Sequence, residues 1–508
     1  METKVLTYSK MTLLRLRRNL VRPVIGSAKA TFSSASAATA SSSSSCRNRG
    51  EKWWDVELPA ADHVPSSSSS TDVGSSKNTS RSTATRIGGT LNDFLGGQVH
   101  QPTKSLSSAS KGAKAFDDPF FSSLTKQMQR YVRKTAPTRA HEQEKDEFLV
   151  KLAKILESVV GDNAQVAPFG SVMNGFWTPC SDIDLCIRVP SGASTRAAQT
   201  KILKRVGNEL ARVSSHFIEP RFGAKVPIIH WAPRQPGMLS CDISVNNVLA
   251  VLNSRLVGEY VRLDKRVYEV GMCLKAWAST RGINDRSRGT LSSFSLILML
   301  IHYLQDHCAL LPSLQDLAIA RNYPPVYVQG VDTRYCTDRE QIADEIRFLQ
   351  EKQKETLLRR HGTSDVRKLS SGYLLADFFK YYAYEYAQSG RTVAIRDVRS
   401  YASSSGASLS GGSTYLFIDN PFEIGKDVAN VEVSLMRSIQ RELHRGAHLL
   451  LSSDSTGTTG TGEDSGNATE DDSEVEEFPK SSVFEKLIEP WDRGLGMNSF
   501  LSMDYPMR

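Results

Sequence analysis

Cysteine is scarce and unpatterned in this 508-residue chain. The seven cysteines stand at positions 46, 180, 186, 241, 273, 308 and 336. None forms a Cys-x-x-Cys pair and none has metal-ligand spacing to a histidine, so the pattern holds neither a disulfide framework nor a zinc site and reads as a reducing compartment. Long apolar runs are missing as well. The most apolar helical segment contains the run Ile297 to Leu304, far short of the ~20 residues that span a bilayer, so no membrane insertion is expected. There is no internal repeat and no signature of an RNA recognition motif, a KH domain or a zinc finger. Acidic residues are nearly absent from the first 50 positions, where Glu2 stands against nine Lys or Arg.

What is present is unevenly spread. The formal net charge is +8, yet nine acids and no base lie between Ser452 and Phe478, which leaves +17 on the remainder. A basic body with an acidic tail suits a polyanionic ligand. Residues 1–50, with MTLLRLRRNLVRP followed by Ala- and Ser-rich sequence, have the composition of an organellar targeting segment. A mitochondrial location is expected, with a cytoplasmic or nuclear one if the segment is only a basic tail. Met11 heads that stretch and could replace Met1 as the start. Residues 51–115 read as a disordered Ser-rich linker, and 451–508 as an acidic disordered tail. The tail closes on a short apolar docking segment within Val483 to Tyr505.

Between these segments two textures follow one another. Over 116–262, helical patterns (Phe120 to Lys134, Phe148 to Val160, Thr195 to Val213) alternate with short strands (Val166 to Phe169, Ile183 to Val189, Phe217 to Glu219, Val226 to Trp231, and one around Asp242). That order predicts an α/β palm, a mixed sheet with flanking helices. Over 263–450 nearly all is helix: Asp264 to Ser279, Leu291 to Gln305, Ile342 to Arg359, Leu374 to Gln388 and Val428 to Leu450. Thr392 to Val398 and Leu416 to Ile418 read as short strands around a flexible loop, Ser403 to Ser413. The aromatic stripe in LLADFFKYYAYEYAQ is assigned to the core.

The chemistry gathers in Pro168 to Val189, PFGSVMNGFWTPCSDIDLCIRV. In a strand, Asp182 and Asp184 share one face while Ile183 and Leu185 take the other. Adjacent carboxylates repel each other unless a cation lies between them, as in two-metal phosphoryl-transfer sites. The backbone N–H groups of the Gly170-Ser171 turn can take a phosphate oxygen. A third carboxylate, Asp242 in LSCDISVNN, lies in another apolar stretch with Cys241 and Ile243 pointing away from it.

These three elements resemble the polymerase β-like nucleotidyltransferases. CDISVNN, LKAWASTRGIN, GTLSSFSLILMLIHYL and DNPFEI look like the branch that contains template-independent poly(A) polymerases and terminal uridylyltransferases. The resemblance runs from Phe116 to Leu450. It implies a nucleotidyltransferase palm followed by a helical PAP-associated domain, which together add nucleotides from a nucleoside triphosphate to an RNA 3′-hydroxyl with two Mg²⁺ or Mn²⁺ ions. By resemblance, Asp182 and Asp184 hold both ions, and Asp242 binds the one nearest the 3′-hydroxyl. Gly170 and Ser171 meet the triphosphate and Lys275 its β and γ phosphates. Asn247 and Asn253 contact the sugar. Ser293 binds phosphate and Phe294 stacks on the base, where many relatives have Tyr.

The departures bear on the base. Ser279 stands where relatives often carry a second Lys, with Arg281 as a candidate for the missing charge. Asn420 stands in place of an Asp, and Lys426 occupies the position of a uracil-reading His, with Glu423 beside it. Lys426 is expected as a buried ammonium at the nucleobase edge. ATP is favoured because that His is absent, with UTP as the alternative. An inactive RNA-binding homologue is a competing reading, opposed by the presence of all three carboxylates. Without an appended RNA-binding module, choice of RNA would fall to a protein partner or to localisation.

Overall fold

Asp118 starts the first helix: its carboxylate accepts the Phe120 N–H at 2.8 Å, ahead of Pro119 at the first helical position, where the missing N–H is harmless. The computed structural model describes residues 114–161, 164–189, 193–213, 217–232, 239–386, 392–396, 416–429, 431–452 and 482–490, all within one compact unit. The targeting segment, nearly all of the linker, the loop Ser403 to Ser413 and most of the acidic tail lie outside the described residues.

The palm comprises α2 (Arg139–Val160), β1 (Gln165–Phe169), α3 (Ser171–Asn174), β2 (Ile183–Arg188), α4 (Arg196–Val213), β3 (Phe217–Arg221), β4 (Ile228–Ala232), β5 (Cys241–Val245) and α5 (Val248–Leu263); α1 (Pro119–Thr135) precedes it. Its sheet runs β1-β2-β5-β4-β3. Strands β2 and β5 are parallel and the other neighbours antiparallel, the mixed sheet that the sequence predicts. Period-two alternation buries Ile183, Leu185 and Ile187 with Cys241, Ile243 and Val245, while α4 packs on β3, β4 and β5 and α2 on β1. One face of β2 and β5 is thereby committed to core.

The helical domain follows with α6 (Lys265–Thr280), α7 (Ser293–Asp306), α8 (Leu314–Ala320), a hairpin of β6 (Tyr327–Val328) and β7 (Val331–Asp332), α9 (Arg339–Lys352), α10 (Lys354–His361), α11 (Ser371–Lys380), α12 (Val433–Leu451) and α13 (Val483–Leu487). Phe378, Phe379, Tyr381 and Tyr382 are at most 2% exposed, so the aromatic stripe is core, and α11 runs on into a π-helical turn, Tyr381–Glu385. The charged segment expected as one helix is two. Gln353 leaves helical geometry (φ −103°, ψ 9°), and the restart at α10 brings Leu357 into the core. Of the two strands expected around the loop, the described residues show a single parallel bridge, Val393 to Ile418.

One boundary moves. Helix α1 precedes the palm in sequence but packs on α6, α11 and α13, burying Phe121, Leu124, Met128 and Val132 in the helical core. Gly372 makes this approach possible: a Cβ there would lie 2.4 Å from the Phe121 carbonyl oxygen. An amphipathic stripe shows that a helix has a partner, without saying which. The docking segment at the C-terminus is seen as α13, with a Ser482/Glu485 capping box and with Phe484 and Leu487 buried. Among the described residues no helix is long and apolar enough to cross a membrane.

Candidate active site

Parallel pairing of β2 with β5 sets Asp184 directly opposite Asp242, and Asp182 stands one residue ahead of β2. These carboxylates line a cleft of about 1030 Å³ together with Gly170, Ser171, Asn253, Lys275, Ser293 and Phe294. The cleft opens at the Asp184 and Asp242 end of the sheet's other face, walled by residues of α3, α5, α6 and α7. Burial, then the charges of Asp242 and Asp182, push the Asp184 carboxyl from 3.8 up to about 7, against the pull of Lys275. Asp242 is also raised by burial, opposed by its hydrogen bond from His230. Carboxylates that raise one another in this way are stabilised by a shared cation, and an all-oxygen donor set suits Mg²⁺ or Mn²⁺.

A pH dependence follows, because a proton and a cation compete for Asp184. As pH falls through about 7 the carboxylate protonates, so the half-saturating concentration for binding a divalent ion should rise by up to about tenfold per pH unit below 7 and level off above it. Binding titrations with Mg²⁺ or Mn²⁺ between about pH 6 and 8 measure this. An affinity independent of pH would remove Asp184 from the ligand set.

Gly170 sits at φ +62°, ψ −140°, a region essentially closed to other residues. A Cβ at this position would lie 2.0 Å from Asp184 Oδ2. Its N–H, assigned to a phosphate from the sequence, is instead donated to Ser254 Oγ at 2.8 Å. Gly170 therefore lets the turn lie flush against Asp184, and Ser171, which opens α3, is the residue of the pair left to meet a phosphate. At the opposite wall Ser292 caps α7 through the Ser295 N–H, at 3.0 Å. The positive end of that helix, with Ser293 and Phe294, thus faces the cleft, as in many phosphate sites. Asn284 donates to Ser293 Oγ at 3.0 Å. Lys275 donates to the Phe176 carbonyl at 2.8 Å, and burial lowers its ammonium to about 8, opposed by Asp184.

Several residues of the site escaped the sequence reading. His230, opposite Asp242 on β4, places Nδ1 2.6 Å from Asp242 Oδ1, and the Ser240 hydroxyl donates to Asp182. Alternation in IIHWA already turns His230 away from buried Ile229 and Trp231, but its partner depends on strand register. Ser279 lines the cleft, yet Arg281 does not make up its charge. That guanidinium forms two 2.9 Å bonds to Glu442, with both side chains almost fully buried. Arg286, from the 3-10 turn Arg286–Arg288, does reach the wall, as do Lys134 and Lys275.

The residues expected at the sugar and the base form one chain of polar contacts. Asn253 Nδ2 contacts Asn420 Oδ1 at 3.5 Å. Asn420 donates to Glu423 at 3.0 Å, and Glu423 holds Lys426 at 2.6 Å. Neither Glu423 nor Lys426 lines the cleft itself. Lys426 is 43% exposed, not the buried ammonium expected, because the NPFE turn spends its inward side on Phe422 and leaves Lys426 at the surface. Asn247 does not line the cleft either. It caps α5 two residues past the end of β5.

Residues 124–262 match the family model described as "Poly(A) RNA polymerase, mitochondrial-like, central palm domain". The chain is 31% identical over 265 residues to human Poly(A) RNA polymerase GLD2, covering 50% of this chain and 49% of that protein. It is 28% identical over 311 residues to Poly(A) RNA polymerase cid13 of Schizosaccharomyces pombe, covering 60% and 49%. It is also 30% identical over 210 residues to mouse Terminal uridylyltransferase 4, covering 41% and 13%. The chain thus spans about half the length, or less, of the curated relatives it matches. In fold it is similar to the Cid1 poly(U) polymerase with Mg 3′-dATP bound, at a TM-score of 0.51 and 25% identity over 65% of this chain and 94% of that one. The resemblance to the nucleotidyltransferase superfamily and the palm-plus-helical fold read from the sequence both hold.

Proposed function

We propose that this chain is a template-independent RNA 3′-terminal nucleotidyltransferase, with ATP as the favoured substrate. The observation that carries the reading is the register of Asp184 against Asp242 with Gly170 packed on Asp184, in a cleft that also holds Lys275 and the N-terminus of α7. Asp182, Asp184 and Asp242 would hold divalent ions, which supply charge neutralisation at the reacting phosphate. The chain's own residues position the reactants. Ser171, Lys275 and Ser293 bind the triphosphate, Phe294 offers a base-tolerant stacking face, and Asn253 meets the ribose. Asp242, with Oδ1 held by His230, has its second oxygen for the proton leaving the 3′-hydroxyl as that oxygen bonds to the α-phosphorus and pyrophosphate departs. Incubating purified protein with a short RNA, Mg²⁺ or Mn²⁺ and each nucleoside triphosphate separately tests the reading. Failure to extend the RNA with any of them would leave the inactive-scaffold alternative.

UTP is the second reading, favoured by similarity to a terminal uridylyltransferase. Lys426 offers only donors and is tied to Glu423. Lys426→His is expected to raise the UTP-to-ATP ratio of kcat/KM about tenfold, one hydrogen bond's worth gained by uracil alone. Steady-state kinetics with both nucleotides on one RNA primer decide it. An unchanged ratio would show that this position does not face the base and would void the preference for ATP.

A further inference from the structure

We propose that the helical domain binds a structural transition-metal ion of the Zn²⁺ class between His307, His361 and Asp377. Nothing in the nucleotidyltransferase reading uses these residues. They come from three elements: His307 follows α7, His361 ends α10 and Asp377 lies in α11. All three are at most 3% exposed. One ligand atom from each lies within 4.8 Å of the others. Asp377 Oδ2 is 3.3 Å from His307 Nε2 and 3.7 Å from His361 Nδ1. Two ligands bound at 2.0–2.1 Å with tetrahedral angles stand ~3.4 Å apart, so these gaps fit a shared ion.

The surroundings hold the ligands as they are held in metal sites. His361 Nε2 faces the His307 carbonyl oxygen at 3.1 Å. A proton on that nitrogen leaves the Nδ1 lone pair turned toward Asp377. His307 Nδ1 has the Glu385 carboxylate 3.8 Å beyond it, and the Tyr303 hydroxyl donates to Asp377 Oδ2 at 2.8 Å. A carbonyl or carboxylate behind each imidazole and a donor on the carboxylate are the usual supports of ligating side chains. His307 Nε2 has only Asp377 Oδ2 within reach, at 3.3 Å, and Nδ1 has no hydrogen-bond partner among the described residues, although a buried polar nitrogen normally finds one. The Tyr373 hydroxyl, 3.0 Å from His361 Nδ1, would swing aside or supply a fourth, oxygen ligand. Two imidazoles and one carboxylate select Zn²⁺ over Mg²⁺, and full burial makes the ion structural. It would tie the ends of α7 and α10 to α11, at the opposite end of α7 from Ser293 and Phe294.

The test uses untagged full-length protein made in zinc-containing medium and passed over a chelating resin, with elemental analysis per mole of chain. About one zinc per chain is expected in the wild type. The same is expected in Asp182→Ala/Asp242→Ala, which removes palm carboxylates, and zinc should be lost in His361→Gln and Asp377→Asn. Should both of those variants fail to fold, wild-type protein refolded with Co²⁺ decides alone: visible ligand-field absorption supports the site. Wild-type protein without stoichiometric transition metal and without such a band overturns it, leaving a buried histidine–carboxylate ion network. Zinc retained in folded His361→Gln overturns it equally.

Discussion

Asp242→Ala is expected to lower nucleotide addition about a thousandfold or more, equivalent to roughly 4 kcal/mol of transition-state stabilisation, while the chain stays folded. Asp242 stands directly opposite Asp184, and on the proposed reading its removal takes away a ligand and the acceptor for the 3′-hydroxyl proton together. The buried core of β5 lies in Cys241, Ile243 and Val245, on the other face, so it survives. The companion variant Asp184→Asn separates chemistry from stability. Burial and like charges lift the Asp184 carboxyl from 3.8 to about 7. In the metal-free protein its ionised form is therefore a liability, absent below about pH 4 and growing as pH rises toward 7. Asp184→Asn should be as inactive as Asp242→Ala, yet melt above the wild type at pH 8 in EDTA, where wild-type Asp184 is charged. Extension of RNA by either variant at near wild-type rate would sink the metal-site assignment. A lower melting temperature for Asp184→Asn would show that the carboxylate contributes to folding by itself.

Gly170→Ala is expected to lower kcat about a hundredfold through a single methyl group. The added Cβ would meet Asp184 Oδ2 at 2.0 Å. The same Cβ would lie 2.9 Å from Asp184 Cγ, so the carboxylate has to swing about its Cα–Cβ bond rather than only turn its end, a shift the fold tolerates. The site does not, since displacing a reacting group by about 1 Å costs on the order of a hundredfold. The unfavourable backbone region adds roughly 1–3 kcal/mol of destabilisation, which lowers the melting temperature without abolishing folding. Single-turnover kinetics with circular dichroism distinguish the two effects. A folded Gly170→Ala enzyme with wild-type kcat would mean that Asp184 does not hold its observed position during turnover.

The sequence by itself determined the two textures, the strands that carry the carboxylates and the identity of Asp182, Asp184 and Asp242. These rest on local rules: period-two alternation puts both members of Asp-x-Asp on one face whatever surrounds them, and helical spacing marks the aromatic stripe of α11 as core. Family motifs added Lys275, Ser293 and Phe294, and all three reach the cleft. Everything that needs two distant segments in register was decided only by the tertiary structure. His230 meets Asp242 because β4 and β5 pair in one particular register. The Gly170 N–H goes to Ser254 because α5 crosses that turn. Arg281 is lost to Glu442 on α12, and α1 packs against α6 and α11. Asn247 falls past the end of β5, and Lys426 stays at the surface with Glu423. His307, His361 and Asp377 have no ligand spacing in sequence, because the distances between them are set by the packing of α7, α10 and α11. Local periodicity fixes which way a side chain faces; what it faces depends on packing and hydrogen bonds between segments far apart in the chain.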